Sequence, residues 1–174
     1  MSEINWPEAI YDVLCAHEIS IVAHVPDAGH RALIERCEGN NDMRVVTLTT
    51  EEEGVGILCG AYAGGAKGVL LIQSSGVGNC INALALPVIC RVPFLSIVSM
   101  RGEWGEFIPW QVPMGKATPT VLEAMDTHLF RVDAADEVGP TVEAAASLAF
   151  NTRCSSAVIL SQKMLGAKQF AEGA

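Results

Sequence analysis

The chain alternates short apolar runs rich in β-branched residues with segments whose apolar residues recur at helical spacing. Runs that are apolar throughout are typical of strands covered on both faces, and such strands occur almost only in parallel sheets. The sequence therefore predicts a three-layer α/β/α fold around a six-stranded, mostly parallel sheet. Because no repeat or linker interrupts the pattern, we expect residues 1–174 to form a single domain. The predicted strands are residues 19–23, 44–48, 68–73, 94–99, 128–132 and 156–160.

Helices are predicted between these strands from apolar spacing and from the residues that start and end helices. Asn5 before a proline is a typical helix start, and the acidic residues at 51–53 suit the positive end of a helix dipole. Two segments have no regular pattern: residues 74–79 are predicted to form a tight loop, and residues 100–113 a long irregular segment. The predicted helices are residues 5–17, 30–37, 51–63, 80–86, 119–125 and 137–150.

The loops that follow the strands are the expected place for a ligand. In open α/β sheets, ligands bind outside the carboxyl ends of the strands. Four loops of unusual composition are predicted to meet at that edge, namely residues 25–29, 49–53, 73–79 and 100–113. We therefore look for the functional residues there.

The charge of the chain excludes two classes of function. Asp and Glu number 20 against 11 Lys and Arg, so the net charge is −9. An acidic chain without a basic cluster repels phosphate, which argues against binding to nucleic acid. The same balance argues against attachment to a membrane surface.

Several features predict a cytoplasmic protein. Residues 81–98 are the most apolar stretch, but Asn82, Pro87, Arg91 and Pro93 interrupt it, so we do not expect it to span a membrane. Residues 1–3 do not resemble the start of a secretory signal. The 6 cysteines form no CxxC pair, which favours reduced thiols. The 4 histidines are not spaced with the cysteines as ligand pairs, so no metal site is predicted.

Three consecutive glutamates, Glu51, Glu52 and Glu53, follow the second predicted strand. They stabilise a helix start, or one of them points into the ligand cleft as a proton-transfer group. Three residues in a row cannot all face one side of a helix, so at most two can serve in the cleft.

Two loops and two histidines are further candidates. The Gly- and Ser-rich segment from Gln73 to Asn79 suits a phosphate or a polar ring, although it is neither a Walker motif nor GxGxxG and could be a structural turn. The segment 101–111 combines aromatic and charged residues, which is typical of a binding loop, a lid or an interface. His24 and His30 flank the first loop, where a lone histidine is more often structural.

The strings Glu51-Glu52-Glu53-Gly54-Val55-Gly56 and Gln73-Ser74-Ser75-Gly76-Val77-Gly78-Asn79-Cys80-Ile81-Asn82-Ala83-Leu84 resemble thiamine-diphosphate-dependent 2-oxoacid decarboxylases. Within that family the chain is most similar to the α subunits of sulfopyruvate decarboxylases, and next to the phosphonopyruvate decarboxylases. The resemblance runs from Val25-Pro26-Asp27 to the last predicted strand. It implies a domain that binds the pyrimidine ring of thiamine diphosphate.

The resemblance also implies roles for individual residues. In this family a glutamate at a helix start contacts N1′ of the pyrimidine and promotes proton transfer from the thiazolium ring. Matching the helix to the Lys67-Gly68 turn gives this role to Glu51, whereas aligning on the Glu-Gly step favours Glu52. The other residues implied to contact the cofactor are Pro26, Gln73, Ser74, Ser75, Gly76 and Asn79.

The expected substrate contacts are Asp27, His30, Arg101 and Gln111, of which Arg101 is a candidate because an anionic substrate needs positive charge nearby. Two of these regions depart from the family pattern. Related decarboxylases carry Ser or Asp directly after the residue that matches Asp27, where this chain has Ala28, so a polar substrate contact is either missing or supplied by Asp27 or His30. Gln111 stands where phosphonopyruvate decarboxylases tend to carry His, which favours sulfopyruvate as the substrate.

The resemblance implies a partner. The family holds the diphosphate and Mg²⁺ with Gly-Asp-Gly followed by Asn-Asn, and this chain has Asn40-Asn41 but no Gly-Asp-Gly. A separate diphosphate-binding β subunit is therefore expected, in a hetero-oligomer that also self-associates. The expected reaction converts sulfopyruvate, a small anionic 2-oxoacid, to sulfoacetaldehyde and CO₂. The alternatives are decarboxylation of phosphonopyruvate or another small 2-oxoacid, and a non-enzymatic domain that binds a ligand or a partner.

Overall fold

The centre of the protein is a six-stranded sheet in the order β2-β1-β3-β4-β6-β5, in which every neighbouring pair is parallel. The computed structural model describes residues 4–166. The predicted α/β fold with six strands is confirmed, and the sheet is parallel throughout. The strands are β1 (Ile19–His24), β2 (Arg44–Thr47), β3 (Lys67–Gln73), β4 (Phe94–Ser99), β5 (Thr127–Val132) and β6 (Ser155–Leu160).

Helices cover both faces of the sheet. One layer contains α1 (Trp6–Ala16), α2 (Arg31–Glu38) and α7 (Val138–Thr152), and the other contains α3 (Glu51–Ala63), α4 (Ser74–Cys80), α5 (Ala85–Cys90) and α6 (Gln111–Ala124). A 3₁₀ turn at Ala135–Glu137 precedes α7, and the short α8 (Gln162–Leu165) follows the last strand.

The two layers bury two apolar cores, one on each side of the sheet. Along β3, Val69 and Leu71 belong to the core under α1 and α7, whereas Leu70 and Ile72 belong to the core under α3 and α4. Side chains alternate faces along a strand, so a strand buried on both faces must be apolar at every position. This is why the apolar runs located the strands correctly.

The prediction of a tight loop at residues 74–79 is wrong, because these residues form helix α4. Gly and Ser have low helix propensity, but packing overrides propensity here, since Val77 and Cys80 are fully buried against the sheet. The predicted helix at 80–86 is correspondingly displaced: α4 ends at Cys80 and α5 begins at Ala85.

The predicted start of the next helix near Pro119 is also wrong. Helix α6 begins at Gln111, so Pro113 lies in its first turn and Pro119 lies inside it. A proline in the first turn removes an N–H group that has no partner within the helix. The irregular segment after β4 is therefore shorter than predicted and ends at Trp110.

Three further observations concern the described chain. No helix within residues 4–166 is both long and apolar enough to cross a membrane. Among the same residues, no three His, Cys, Asp or Glu side chains come together as a set that could hold a metal ion. The expectation about a secretory signal depends on Met1 to Glu3, which lie outside the described residues.

Candidate active site

The carboxyl ends of β1, β2 and β3 bring three of the predicted loops to one cleft. This cleft has a volume of about 150 Å³. It lies between the loop after β1, the start of α3 and the junction of β3 with α4. Its lining residues are Val25, Pro26, Asp27, Glu51, Gln73 and Ser75.

The three consecutive glutamates have three different environments. Glu51, the first residue of α3, is 9% exposed and lines the cleft. Glu52 is exposed to solvent. The carboxylate of Glu53 accepts a hydrogen bond from the backbone N–H of Thr49 at 2.8 Å. The structure thus separates a cleft residue, a surface residue and a helix-capping residue.

Helix α4 holds the Glu51 carboxylate from the other side of the cleft. Asn79 Nδ2 donates a hydrogen bond to Glu51 Oε2 at 2.7 Å. A Cβ atom at Gly76 would overlap Glu51 Oε1, Cδ and Cγ. Glycine at position 76 therefore lets the carboxylate lie directly against α4, where Asn79 fixes its orientation.

Side-chain amides form another wall of the cleft. Gln73 Nε2 donates a hydrogen bond to Ser75 Oγ at 2.6 Å. The same nitrogen lies 3.4 Å from Oε1 of Gln111, the first residue of α6, so α6 contacts the Gln73 side chain. Gln111 itself is 4% exposed. The structure thus brings together Glu51, Asn79, Gln73, Ser75, Pro26 and Asp27, with Gln111 behind them.

Ser74 has a different position from its neighbours. Its side chain is fully buried, and its Oγ accepts a hydrogen bond from the backbone N–H of Arg101 at 3.0 Å. Its carbonyl accepts from Thr118 Oγ1 at 3.2 Å. Ser74 connects α4 to the segment after β4 and to α6, and its hydroxyl does not line the cleft.

Asp27 lies where the cleft meets a second cavity of about 140 Å³ that Gly29, Ser99 and Arg101 also line. Ser99 Oγ donates a hydrogen bond to Asp27 Oδ2 at 2.5 Å. No other described residue donates a hydrogen bond to the Asp27 carboxylate, so its Oδ1 is available to a ligand.

His30 lies in the core beside this site. Its ring is fully buried, with Nε2 3.2 Å from the carbonyl of Ile72 and Nδ1 without a partner. Burial lowers the pKa of His30, so the ring is neutral at neutral pH. In this position His30 does not reach the cleft surface, and the predicted substrate contact stays a prediction.

Arg101 is paired with a glutamate of its own loop. Its guanidinium forms two hydrogen bonds of 2.7 Å to Glu106, and the two side chains are 10% and 3% exposed. Glu106 also accepts from the backbone N–H groups of Gly102 and Ile108, both at 3.1 Å, and from Gln162 Nε2 at 3.0 Å. The hydrogen bonds from Arg101 hold the pKa of Glu106 far below its usual range. The positive charge of Arg101 is thus neutralised within this chain.

Hydrogen bonds to residues of β5 and of the segment after β6 hold the rest of the segment after β4 in place. Gln162 Oε1 accepts from the backbone N–H groups of Glu103 and Trp104 at 2.8 and 2.9 Å. Arg131 pairs with Glu103 through two hydrogen bonds of 2.9 and 3.1 Å. These hydrogen bonds indicate a fixed loop and not a lid. Two aromatic side chains of this loop are exposed to solvent, Trp104 at 55% and Trp110 at 69%.

The Glu106–Arg101 pair predicts an acid-sensitive component of stability. Removing one partner of a buried ion pair leaves an uncompensated charge, so Glu106→Gln should lower the free energy of unfolding at pH 7 by about 3 kcal/mol. The folded-state pKa of Glu106 is depressed, so this contribution is present above the unfolded pKa of about 4.3 and is lost as the pH falls below it. Urea unfolding at pH 7, 4 and 3 measures both effects.

The control for this prediction is Glu103→Gln, which removes the neighbouring but more exposed pair with Arg131. Exposed pairs contribute little, so we expect a loss of less than about 1 kcal/mol. Equal losses in the two variants, or a Glu106→Gln loss that persists unchanged at pH 3, would contradict the assignment.

The sequence pattern did not reveal three residues of this region, namely Ser99, Glu106 and Gln162. Ser99 and Gln162 form hydrogen bonds with residues that only the fold brings near them, whereas Glu106 is paired with Arg101 of the same loop. Ser99 and Gln162 lie at or just after the carboxyl ends of β4 and β6, which is the one signal that could have identified them.

Curated relatives share most of the length of this chain. The sulfopyruvate decarboxylase subunit alpha of Methanococcus maripaludis is 35% identical over 90% of this chain and 95% of its own length. The sulfopyruvate decarboxylase of Methanosarcina acetivorans is 38% identical over 71% of this chain, but only 32% of that longer protein is matched. The phosphonopyruvate decarboxylase of Streptomyces viridochromogenes is 34% identical over 69% of this chain and 31% of its length.

A solved structure supports the fold. The 2-oxoglutarate:ferredoxin oxidoreductase from Magnetococcus marinus matches 92% of this chain and 29% of its own chain with a TM-score of 0.70 at 12% identity. No family model matches the sequence. The family resemblance seen in the sequence is confirmed by the relatives. The chain belongs to the family of sulfopyruvate decarboxylase α subunits.

Proposed function

We propose that this chain is the pyrimidine-binding subunit of a thiamine-diphosphate-dependent decarboxylase that converts sulfopyruvate to sulfoacetaldehyde and CO₂ with uptake of one proton. The observation that carries the proposal is the buried Glu51 carboxylate, held by Asn79 in a cleft at the carboxyl edge of a parallel sheet. Membership of a family of decarboxylase subunits gives that carboxylate its chemical context.

The residues of the cleft fit an aminopyrimidine ring. Val25 and Pro26 provide an apolar wall, Gln73 provides an amide, and Glu51 provides a carboxylate at the ring's edge. The space at Gly76 that a Cβ would fill is taken by that carboxylate, so the site is built around its position. When bound, thiamine diphosphate supplies the electron sink that lets a carboxyl carbon leave as CO₂.

Each side chain then has a defined task. Glu51 exchanges a proton with N1′ of the pyrimidine, because it is the one cleft carboxylate fixed against α4. Asn79 holds the Glu51 carboxylate by donating to Oε2. Gln73 and Ser75 line the ring, and Asp27 borders the side on which the second cavity opens and the substrate binds.

A partner supplies the positive charge that an anionic substrate needs. The cleft is lined by two carboxylates and by no Lys or Arg of the described chain. Arg101 and Arg31, the nearby arginines, are paired with Glu106 and Glu35. The partner subunit and the bound cofactor therefore provide the attraction for the sulfonate and carboxylate groups.

The same partner holds Mg²⁺ and the diphosphate. The chain contains no Gly-Asp-Gly, and Asn40 lies just before β2, at the opposite edge of the sheet from the cleft. Similar proteins are named as subunits, and the Methanosarcina acetivorans decarboxylase is about three times as long as its matched region. The exposed Trp104 and Trp110 of the segment after β4 suit contact with such a partner.

The test is to produce the chain with a diphosphate-binding subunit and to measure CO₂ and aldehyde release from sulfopyruvate, phosphonopyruvate and pyruvate. We expect the complex to prefer sulfopyruvate and to require added thiamine diphosphate and Mg²⁺. The isolated chain should release no CO₂ above background.

Each part of the proposal has an outcome that contradicts it. Full activity of the isolated chain would refute the two-subunit arrangement. A preference for phosphonopyruvate, which the Streptomyces relative makes the second candidate, or for pyruvate would overturn the substrate. Absence of any decarboxylation by a cofactor-loaded complex would leave a non-enzymatic binding role.

A further inference from the structure

We propose that Ser99 is a positioning residue for the decarboxylation, which acts by fixing the carboxylate of Asp27 between the cofactor cleft and the adjoining cavity. The inference rests on the proposed function, because it assigns Asp27 to the substrate side of that cleft. It adds a residue whose side chain neither the sequence motifs nor the cleft lining include.

The hydrogen bond between the two residues is short, whereas the other acceptor near the Ser99 hydroxyl, the Ile72 carbonyl, lies 3.5 Å away. Ser99 is the last residue of β4 and is 2% exposed, and its hydroxyl donates to Asp27 Oδ2 at 2.5 Å. The residues are 72 positions apart, so only the sheet brings them together. Because β4 is a central strand of the sheet, Ser99 provides a rigid anchor for a loop residue.

The backbone is shaped to permit this bond. A Cβ atom at Gly29 would lie 2.9 Å from both Asp27 Oδ2 and Ser99 Cβ, and 3.1 Å from Ser99 Oγ. Glycine at this position is therefore required by the close approach of Asp27 to Ser99, since its φ is not in the left-handed region. This is an observation independent of the hydrogen bond itself.

Fixing Asp27 leaves one of its oxygens for a ligand. Oδ2 is engaged by Ser99, while Oδ1 receives no hydrogen bond from the described residues. The carboxylate lines both the cofactor cleft and the adjoining cavity. A carboxylate held at one oxygen presents the other in a single orientation, and misplacement of a reacting group by about 1 Å can cost roughly 100-fold in rate.

The charged and titratable groups near Asp27 form hydrogen bonds with other residues. The guanidinium of Arg101, which lines the same cavity, is paired with Glu106, and the nearby His30 ring is buried with Nε2 donating to the carbonyl of Ile72. Among the described residues, Ser99 is thus the group that orients the Asp27 carboxylate.

The experiment compares Ser99→Ala and Gly29→Ala in the assembled, cofactor-loaded complex. The first removes the donor, and the second separates the pair while keeping the hydroxyl. We expect both variants to lower kcat by about 10- to 100-fold, with KM and the Kd for thiamine diphosphate within about twofold of wild type. A crystal structure of Ser99→Ala should show the Asp27 carboxylate displaced.

The matched control is Ser156→Ala, which removes another buried serine hydroxyl, bonded to the Ala145 carbonyl at 2.8 Å in the amino-terminal half of β6. It should lower Tm but leave kcat within about twofold. In an Asp27→Ala background, Ser99→Ala should have no further effect on the residual rate, because residues that act through one group are not additive.

Two results would overturn the inference. One is a kcat of Ser99→Ala equal to that of the Ser156→Ala control, and the other is an equal loss caused by Ser99→Ala with and without Asp27. Failure of the proposed function is a distinct result, since the wild-type complex would then release no CO₂ from any of the three acids.

Discussion

Glu51→Gln will reduce the decarboxylation rate of the assembled enzyme by at least about 100-fold, whereas Glu52→Gln will leave it within about twofold of wild type. The two residues are adjacent, but Glu51 is 9% exposed and lines the cleft, and Glu52 is exposed to solvent. Glutamine has nearly the same shape and can still accept the hydrogen bond from Asn79, so the loss reports the missing proton transfer.

Two measurements check this prediction. The first is kcat of the complex with sulfopyruvate, and the second is the exchange of the C2 proton of the bound cofactor with solvent, which should slow only in Glu51→Gln. Thermal unfolding should confirm that both variants fold. Normal proton exchange in Glu51→Gln, or a loss in Glu52→Gln alone, would contradict the assignment and return the role to the neighbouring residue.

Gly76→Ala will have an effect of similar size without touching a charged group. The added Cβ would overlap three atoms of the Glu51 side chain, so the carboxylate must move. Alanine favours a helix over glycine by about 1 kcal/mol, so α4 itself should not be weakened. We therefore expect a loss of at least about 100-fold in kcat with the fold retained.

Gly78→Ala is the control, because it adds a methyl group to the same helix two residues later. A Cβ there would meet the Met114 Sδ at 3.3 Å, and the flexible methionine side chain can adjust. We expect activity within about twofold of wild type. Equal activities of the two variants would show that Glu51 does not depend on its fixed position against α4.

Much of the fold could be predicted because strands buried on both faces are apolar at nearly every position, and such runs are visible in the sequence. Residues 94–99 and 51–63 were predicted with the bounds that β4 and α3 have in the structure. Errors occurred where a segment with weak helix propensity is held by tertiary contacts. Helix α4 contains two glycines and three serines or asparagines. It forms because its buried side packs in the same apolar core as β3.

The charges of the site were harder to predict than its location. Arg101 is a predicted substrate contact, and the structure adds that its guanidinium is bound to Glu106. His30 remains a predicted substrate contact, and the structure adds that its ring is buried. The sequence places a charged residue such as Arg101 in a loop near the site. Which side chain it pairs with depends on the conformation of that loop in the folded protein.

The sequence by itself determined the alternation of strands and helices, the edge at which the loops meet and the family to which the chain belongs. Those properties depend on local composition and short motifs, which each segment carries on its own. Only the tertiary structure decided that Glu51 and not Glu52 faces the cleft, that Ser99 holds Asp27 and that Glu106 neutralises Arg101. The first depends on the rotation of α3 against the sheet, the second on two side chains from different elements, and the third on the conformation of the loop after β4, and local sequence specifies none of these.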